Sequence, residues 1–150
     1  EFIMDIYQYL KRDHKKVKNL FSEIISEKRN KKRKNLLDEV IEELTLHMES
    51  ERKTFYKELK KQSESKEEAQ HGDKEHGYIK KAIAKLTELP AESTEWFVQL
   101  GELKSIVEHH IKEEESTMFK AAKKILSKEM ASDLVDKMEA EKQKIQEKAE

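Results

Sequence analysis

The sequence contains no cysteine, a single proline and only three glycines among 150 residues. Without cysteine, disulfide bonds and thiolate metal ligands are excluded. The scarcity of proline and glycine leaves few points at which a helix must end, which favours an all-helical chain. No apolar run approaches the roughly 18 residues that a membrane-spanning helix needs. No signal peptide is recognisable, so we expect a cytoplasmic protein.

What the sequence has in abundance is charge, since 42% of its residues are charged. The 31 Lys and Arg residues are balanced by 32 Asp and Glu residues. The composition therefore gives no broad electrostatic reason to expect nucleic-acid binding. The length suits one domain, and we predict a single domain over residues 1–150.

Apolar residues recur in steps of three and four through four segments, which predicts four amphipathic helices. The helices are predicted to begin after Asp5 (in a capping box with Gln8), at about Arg33, at the capping residue Ser65, and at Ser93 or Thr94. We expect the second to reach Gln62, the third to end before Pro90 and the fourth to end at about Leu126. A short fifth helix, capped by Ser127, is predicted over about 128–148, with a frayed charged tail, Glu139–Glu150. The prediction is an all-α fold, an antiparallel up-down-up-down four-helix bundle over about residues 5–126 with a short C-terminal fifth helix.

Each of the four apolar faces carries polar side chains at its middle, where only apolar residues are expected. Histidine interrupts every face, and on the second and fourth helices a glutamate follows four residues later, one turn along the same face. A carboxylate buried alone is costly, so it is normally paired or bound to a metal. Counting along each helix puts the histidines level in the bundle. The predicted metal ligands are His14, His47, Glu51, His76, His110 and Glu114.

The two halves of the chain repeat this pattern. The segment from His47 to Glu51 matches the segment from His110 to Glu114 at an offset of 63 residues. Asp13-His14 and Glu75-His76 match at an offset of 62. Six ligands in two half-sites exceed one tetrahedral zinc site and suggest two ions. Imidazole and bridging carboxylate ligands favour a pair of non-haem iron ions.

Other polar residues near these positions are assigned no ligand role. His71 is five residues before His76, about 140° round the helix, so we expect it to point away from His76. His109 shares a polar face with Glu102 and Glu113, so we expect it to be solvated. Asp13 and Glu75 precede their histidines by one residue, so we expect them to be solvated or salt-bridged. The tyrosines are ambiguous from sequence and receive no role.

In order and spacing, these motifs resemble the hemerythrin-like (HHE cation-binding) domains over about residues 5–126. The resemblance implies a four-helix bundle with two non-haem iron ions, bridged by an oxo or hydroxo group and held by the six predicted ligands. Oxygen-carrying hemerythrins have a further histidine at the position of Gly72. We therefore expect an open or solvent-filled position there, unless His71 or Glu68 swings in.

Several functions follow from the resemblance. The first is binding of dioxygen or another small ligand such as nitric oxide, for sensing, storage or stress protection, with an unidentified redox partner possible. The second is an enzyme-like role in iron–sulfur cluster repair or in peroxide or nitric oxide detoxification. The third is simple metal storage. The sequence favours a metal- and ligand-binding protein over an enzyme, without deciding between them.

Overall fold

The computed structural model describes residues 3–149, and that part of the chain consists of helices and their connections. The five long helices are α1 (Ile6–Ser26), α2 (Asn30–Glu51), α3 (Ser63–Glu88), α4 (Thr94–Glu113) and α5 (Lys128–Ala149). Helix α2 continues through a π-helical turn, Arg52–Tyr56, into Lys57–Leu59. Helix α4 continues through a second π-helical turn, Glu114–Met118, into Phe119–Ile125. The predicted helical bundle is confirmed.

Helix starts follow the predicted capping chemistry at three of the five long helices. Asp5 and Gln8 form the expected capping box, with hydrogen bonds of 2.9 and 3.0 Å. Ser93 accepts a hydrogen bond from the backbone of Trp96, and Ser127 accepts one from Met130. Each cap satisfies a backbone N–H that the first helical turn leaves without a partner.

The predicted boundaries of α2 and α3 were partly wrong. Helix α2 already begins at Asn30, and its continuation ends at Leu59 rather than Gln62. Helix α3 begins at Ser63, two residues before the predicted cap. The hydroxyl of Ser65 instead donates to the carbonyl of Leu59 at 2.6 Å, so it closes the preceding connection. A Ser followed three residues later by Glu was therefore a misleading capping signal here.

The buried apolar side chains form two separate clusters along the bundle. One cluster lies towards the α1–α2 and α3–α4 connections and includes Phe21, Leu44, Leu86 and Leu103. The other lies at the opposite end and includes Tyr9, Phe55, Phe119 and Met138. Every predicted ligand falls in sequence between members of these two clusters. The bundle thus has apolar layers on both sides of one polar layer.

Helix α5 confirms the predicted fifth helix at about 128–148, although its 22 residues make it as long as the bundle helices and not short. The tail that was expected to fray is helical through Ala149. Helix α5 packs on α1, α2 and the first π-helical turn, burying Leu134 and Met138 in the second apolar cluster. Its position is also fixed by Lys142, whose Nζ lies 2.5 Å from Asp13. Across residues 3–149, the helices include none long and apolar enough to cross a bilayer.

Candidate metal centre

The polar layer collects the predicted ligands from all four bundle helices. Helix α1 contributes His14, α2 contributes His47 and Glu51, α3 contributes His76, and α4 with its π-helical turn contributes His110 and Glu114. All six are buried, with exposed fractions between 0% and 6%. The rings of the histidines on α1 and α2 are 5.1 Å apart, and those on α3 and α4 are 4.7 Å apart. The histidines are therefore level, as counting along the helices predicted.

The inward-facing atoms of these side chains converge on a small volume. Nε2 of His14 lies 3.2 Å from Glu114, and Nε2 of His76 lies 3.1 Å from Glu51. Nε2 of His76 also lies 3.1 Å from Nε2 of His110. Two four-residue sets have ligand atoms within 4.8 Å of one another, His14–His47–Glu51–Glu114 and Glu51–His76–His110–Glu114. Because both carboxylates belong to both sets, the arrangement has the form of two adjacent sub-sites joined by shared carboxylates.

Five of the atoms that face this volume lack hydrogen-bond partners among the described residues. The unpartnered atoms are Nε2 of His14 and of His47, both carboxylate oxygens of Glu51, and Oε1 of Glu114. A buried polar atom without a partner costs about 1–3 kcal/mol, and more when it is charged. In the metal-free protein the two imidazole nitrogens are compensated only by the charges of Glu114 and Glu51, at 3.2 and 3.5 Å. A cation bound among these five atoms would satisfy all of them directly. The donor set thus fits a metal centre, and imidazole with carboxylate suits iron.

The outward nitrogens of three of the four histidines face carboxylates. Nδ1 of His47 lies 2.9 Å from Asp13, and Nδ1 of His110 lies 2.9 Å from Glu75. Nδ1 of His14 lies 2.7 Å from Glu115. Such carboxylates fix the ring orientation and the tautomer of a metal-binding histidine, leaving Nε2 free for the ion. Asp13 and Glu75 were expected to be solvated or salt-bridged, and the second alternative is confirmed. Each pairs with the histidine of the neighbouring helix, a role that the sequence analysis did not assign.

Without a metal ion, two histidines of the layer, His47 and His110, hold their protons more tightly than a free imidazole does. Burial disfavours an imidazolium at His47, but the charge of Glu51 and the hydrogen bond to Asp13 outweigh burial and raise the pKa to about 10. Burial also lowers the pKa of His110, but hydrogen bonds to Glu114 and Glu75 outweigh burial and raise this pKa to about 10. A metal ion that binds these nitrogens must displace their protons.

A tyrosine that sequence analysis left without a role lies at the edge of the centre. The hydroxyl of Tyr56 donates to Glu114 at 2.5 Å and lies 3.3 Å from Nε2 of His76 and 3.5 Å from Nε2 of His110. Its ring stacks on His76 at 5.1 Å between centroids. Burial and the adjacent carboxylates of Glu114 and Glu51 raise the pKa of Tyr56 well above its usual 10, so in the metal-free protein the phenol keeps its proton.

Tyr56 also occupies the space beside Gly72. A Cβ atom added to Gly72 would lie 2.7 Å from Cζ and Oη of Tyr56 and 2.8 Å from Cε of Met118. The expectation that this side of the centre has no side chain to offer was therefore wrong. The glycine makes room for the phenol, and the hydroxyl lies where a solvent-filled position was expected.

His71 and His109 do not join the buried layer, as predicted from their helical faces. Their side chains are 50% and 66% exposed. They are not simply solvated, however. Nε2 of His71 lies 2.8 Å from Glu113, and Nε2 of His109 lies 3.3 Å from the same residue. Both also approach Glu75, at 3.5 and 3.7 Å.

Comparisons with known proteins agree with this architecture. A family model described as the hemerythrin HHE cation-binding domain matches residues 5–122. A DNA nickase from Nostoc sp. (strain PCC 7120) is 26% identical over 145 residues, which are 97% of this chain and 41% of that protein. The chain thus spans about two fifths of the length of this curated relative. The crystal structure of a hemerythrin HHE cation-binding domain-containing protein from Mycobacterium kansasii is similar, with a TM-score of 0.81 and 22% identity, over 95% of this chain and 90% of that one. At this identity the structural similarity shows the fold alone.

Proposed function

The chain belongs to the hemerythrin HHE cation-binding family, and from that premise we propose that its buried layer holds two non-haem iron ions. His14 and His47 would hold one ion, His76 and His110 the other, and the carboxylates of Glu51 and Glu114 would be shared between them. The observation that carries this proposal is the set of unpartnered, inward-facing donor atoms. The outer carboxylates on three of the histidines support it, because they orient Nε2 towards the ions.

The donor count favours a pair of ions over one structural zinc ion. Structural zinc is almost always held by four protein ligands in a tetrahedral arrangement. Six donors are present here, with the hydroxyl of Tyr56 as a seventh group within reach. A pair of ions with higher coordination numbers uses all of these groups, whereas one tetrahedral ion leaves buried carboxylate oxygens without a partner.

We further propose that the centre binds dioxygen or another small ligand, such as nitric oxide. An iron ion with a free coordination position can bind such molecules reversibly or exchange electrons with them. The burial of all six ligands, with exposed fractions no greater than 6%, favours a diatomic ligand over a bulky organic substrate. The hydroxyl of Tyr56 lies in the same enclosed space, where it donates its single proton to Glu114. The phenol would limit the room available near His76 to larger ligands.

The experiment is metal analysis of protein produced with abundant iron, followed by oxygen titration of the reduced form. We expect two ions per chain, mostly iron, and an absorption band that appears with oxygen and disappears in vacuum. Glu51→Gln should lower the iron content, because it removes a shared carboxylate. Glu102→Gln is the matched control, since Glu102 is an exposed acidic residue on α4. No iron in the parent protein, or equal iron in both variants, would contradict the proposal.

Other outcomes separate the alternatives kept open by the sequence. A band that forms once and does not reverse favours a redox or detoxifying role over reversible binding. Iron uptake without any response to oxygen or nitric oxide favours simple storage. DNA nicking belongs to the longer Nostoc protein, and the balanced charge of this chain gives no reason to extend it here.

Metal should also stabilise the fold. A ligand that binds only the native state stabilises it by about 2.7 kcal/mol when its free concentration is 100 times its dissociation constant. In this protein the ions would also relieve unpartnered buried groups. Thermal unfolding of the loaded and metal-free proteins measures the difference, and identical melting temperatures would show that the buried layer is not the metal site.

A further inference from the structure

Outside the buried layer, two histidines and two glutamates form a second group, here called the outer cluster: His71, Glu75, His109 and Glu113. Each helix contributes a histidine and the glutamate four residues later, so two matching pairs face each other across α3 and α4. Four distances between imidazole nitrogens and carboxylate oxygens across the group lie between 2.8 and 3.7 Å. Ligand atoms of His71, Glu75 and Glu113 all lie within 4.8 Å of one another.

We propose that the outer cluster binds a third divalent transition-metal ion and acts as the loading site for the buried centre. Imidazole and carboxylate are ligands that Fe²⁺ and Zn²⁺ accept. His71, Glu75 and Glu113 form the set within reach of one ion, and His109 lies beside it, 3.3 Å from Glu113. Within residues 3–149, neither Glu75 nor Glu113 has a Lys or Arg side chain within 4.0 Å. One oxygen of Glu75 is already paired with Nδ1 of His110, whereas the charge of Glu113 faces only the two exposed histidines. A divalent ion would balance the charge of Glu113.

The outer cluster is accessible, whereas the buried layer is not. The side chains of His71, His109 and Glu113 are 50%, 66% and 38% exposed. The ligands of the buried layer are at most 6% exposed. An ion from solution therefore meets the outer cluster without any rearrangement of the fold. To reach the buried layer it must pass between the helices.

Glu75 joins the two sites. One of its carboxylate oxygens lies 2.9 Å from Nδ1 of His110, and the other faces His71 and His109 at 3.5 and 3.7 Å. Nε2 of His110 in turn faces the buried layer, 3.3 Å from Glu114. An ion in the outer cluster is thus one carboxylate and one imidazole away from the buried centre. The loading role rests on the proposed function, but binding of the outer ion does not.

The first test is a calorimetric titration of the iron-loaded protein with Zn²⁺. We expect one further ion per chain. In the double variant His71→Ala/His109→Ala this binding should weaken by more than about tenfold, since losing even an outer-shell partner costs a metal site about 10–100-fold. The iron content should remain that of the parent. Glu113→Gln is a second, independent variant that should weaken the same binding.

The matched control is Lys74→Ala/Lys112→Ala, because both residues are exposed and each follows one of the two histidines by three positions on the same helix. Its Zn²⁺ binding should not weaken. If the parent binds no additional Zn²⁺, or if the histidine variant binds it as tightly, the outer cluster is only a set of hydrogen-bonded side chains and the proposal is wrong.

The second test measures the rate of Fe²⁺ uptake by metal-free protein. In the histidine variant we expect the rate to fall in proportion to the lost occupancy of the outer cluster, with an unchanged final iron content. An unchanged rate alongside weakened Zn²⁺ binding would overturn the loading role. If the parent takes up no Fe²⁺, the proposed function fails instead, and Zn²⁺ titration of the metal-free parent and histidine variant still decides whether the outer cluster binds an ion.

Discussion

Replacing Gly72 tests how closely Tyr56 is fitted to the buried centre. Glycine in the interior of a helix costs about 1 kcal/mol relative to alanine, so Gly→Ala substitutions in helices normally stabilise. At Gly72 the added Cβ would lie 2.7 Å from two atoms of the Tyr56 ring and hydroxyl. Tyr56 is fully buried and stacked on His76, so its ring cannot swing away. The methyl group of Met118, at 2.8 Å, is the easier of the two contacts to move.

Overpacking of this kind costs about 1–3 kcal/mol. The expected result for Gly72→Ala is therefore a net loss of stability, after the helix-propensity gain is subtracted. Gly77→Ala is a matched control on the same helix, because nothing lies within 4 Å of its added Cβ. It should gain up to about 1 kcal/mol. For an overlap cost of about 2 kcal/mol, the two variants should melt about 4–8 °C apart.

Thermal unfolding followed by circular dichroism measures both variants in metal-free protein. A double-mutant cycle with Tyr56→Leu isolates the contact, because removing the ring should make Gly72→Ala as favourable as Gly77→Ala. Equal stabilisation by Gly72→Ala and Gly77→Ala in the parent would refute the argument that Tyr56 fills the space beside Gly72. By the same crowding, Gly72→His should lower metal occupancy rather than add a ligand.

Three further predictions concern the groups around the buried layer. Tyr56→Phe removes the donor to Glu114 and should destabilise the metal-free protein by about 1.5–3 kcal/mol in thermal unfolding, whereas the exposed Tyr78→Phe should have little effect. Asp13→Asn should weaken metal binding by about 10–100-fold in a chelator competition assay, because it removes the carboxylate that orients His47. Burial lowers the pKa of His47, but the neighbouring carboxylates raise this pKa from 6.5 to about 10. The protonated His47 should therefore stabilise the metal-free fold fully below pH 6.5, and this stabilisation should be lost as the pH rises through 10. Metal must displace that proton, so the apparent affinity should rise with pH in this range, and an affinity that does not change would contradict the protonated state.

The periodicity of the sequence was sufficient to predict the bundle and to bring together the six buried polar residues. The four histidines lie at the middle of apolar helical faces, so the spacing of the apolar residues shows clearly that they point into the bundle. The partners of Asp13 and Glu75 were missed because a helical wheel gives the direction of a side chain from its own axis only. Each points away from the histidine beside it in sequence but towards a histidine on the next helix. The repeated acid–histidine pair was a signal for this role.

Tyr56 was missed because the helix changes its winding directly after Glu51. In a regular α-helix a residue five positions after Glu51 is turned about 140° away, so Phe55 was placed on the core-facing side and Tyr56 was not. The π-helical turn Arg52–Tyr56 accommodates an extra residue, which brings the fifth position back to the same face. Composition and apolar spacing carry no clear mark of such a turn. The helix therefore departs from regular winding at the point where the centre gains its phenol.

The same turn explains why the two halves of the centre are not equivalent. A π-helical turn also occurs at Glu114–Met118, and at the offset of 63 residues Tyr56 corresponds to Phe119. Phe119 has no hydroxyl and packs against Tyr7 in the second apolar cluster, with ring centroids 5.1 Å apart. Among the described residues, the phenol of Tyr56 lies beside His76 and His110, and Phe119 offers no counterpart to it. If the layer holds the proposed pair of ions, the ion near Tyr56 should differ from the other in its access to small ligands.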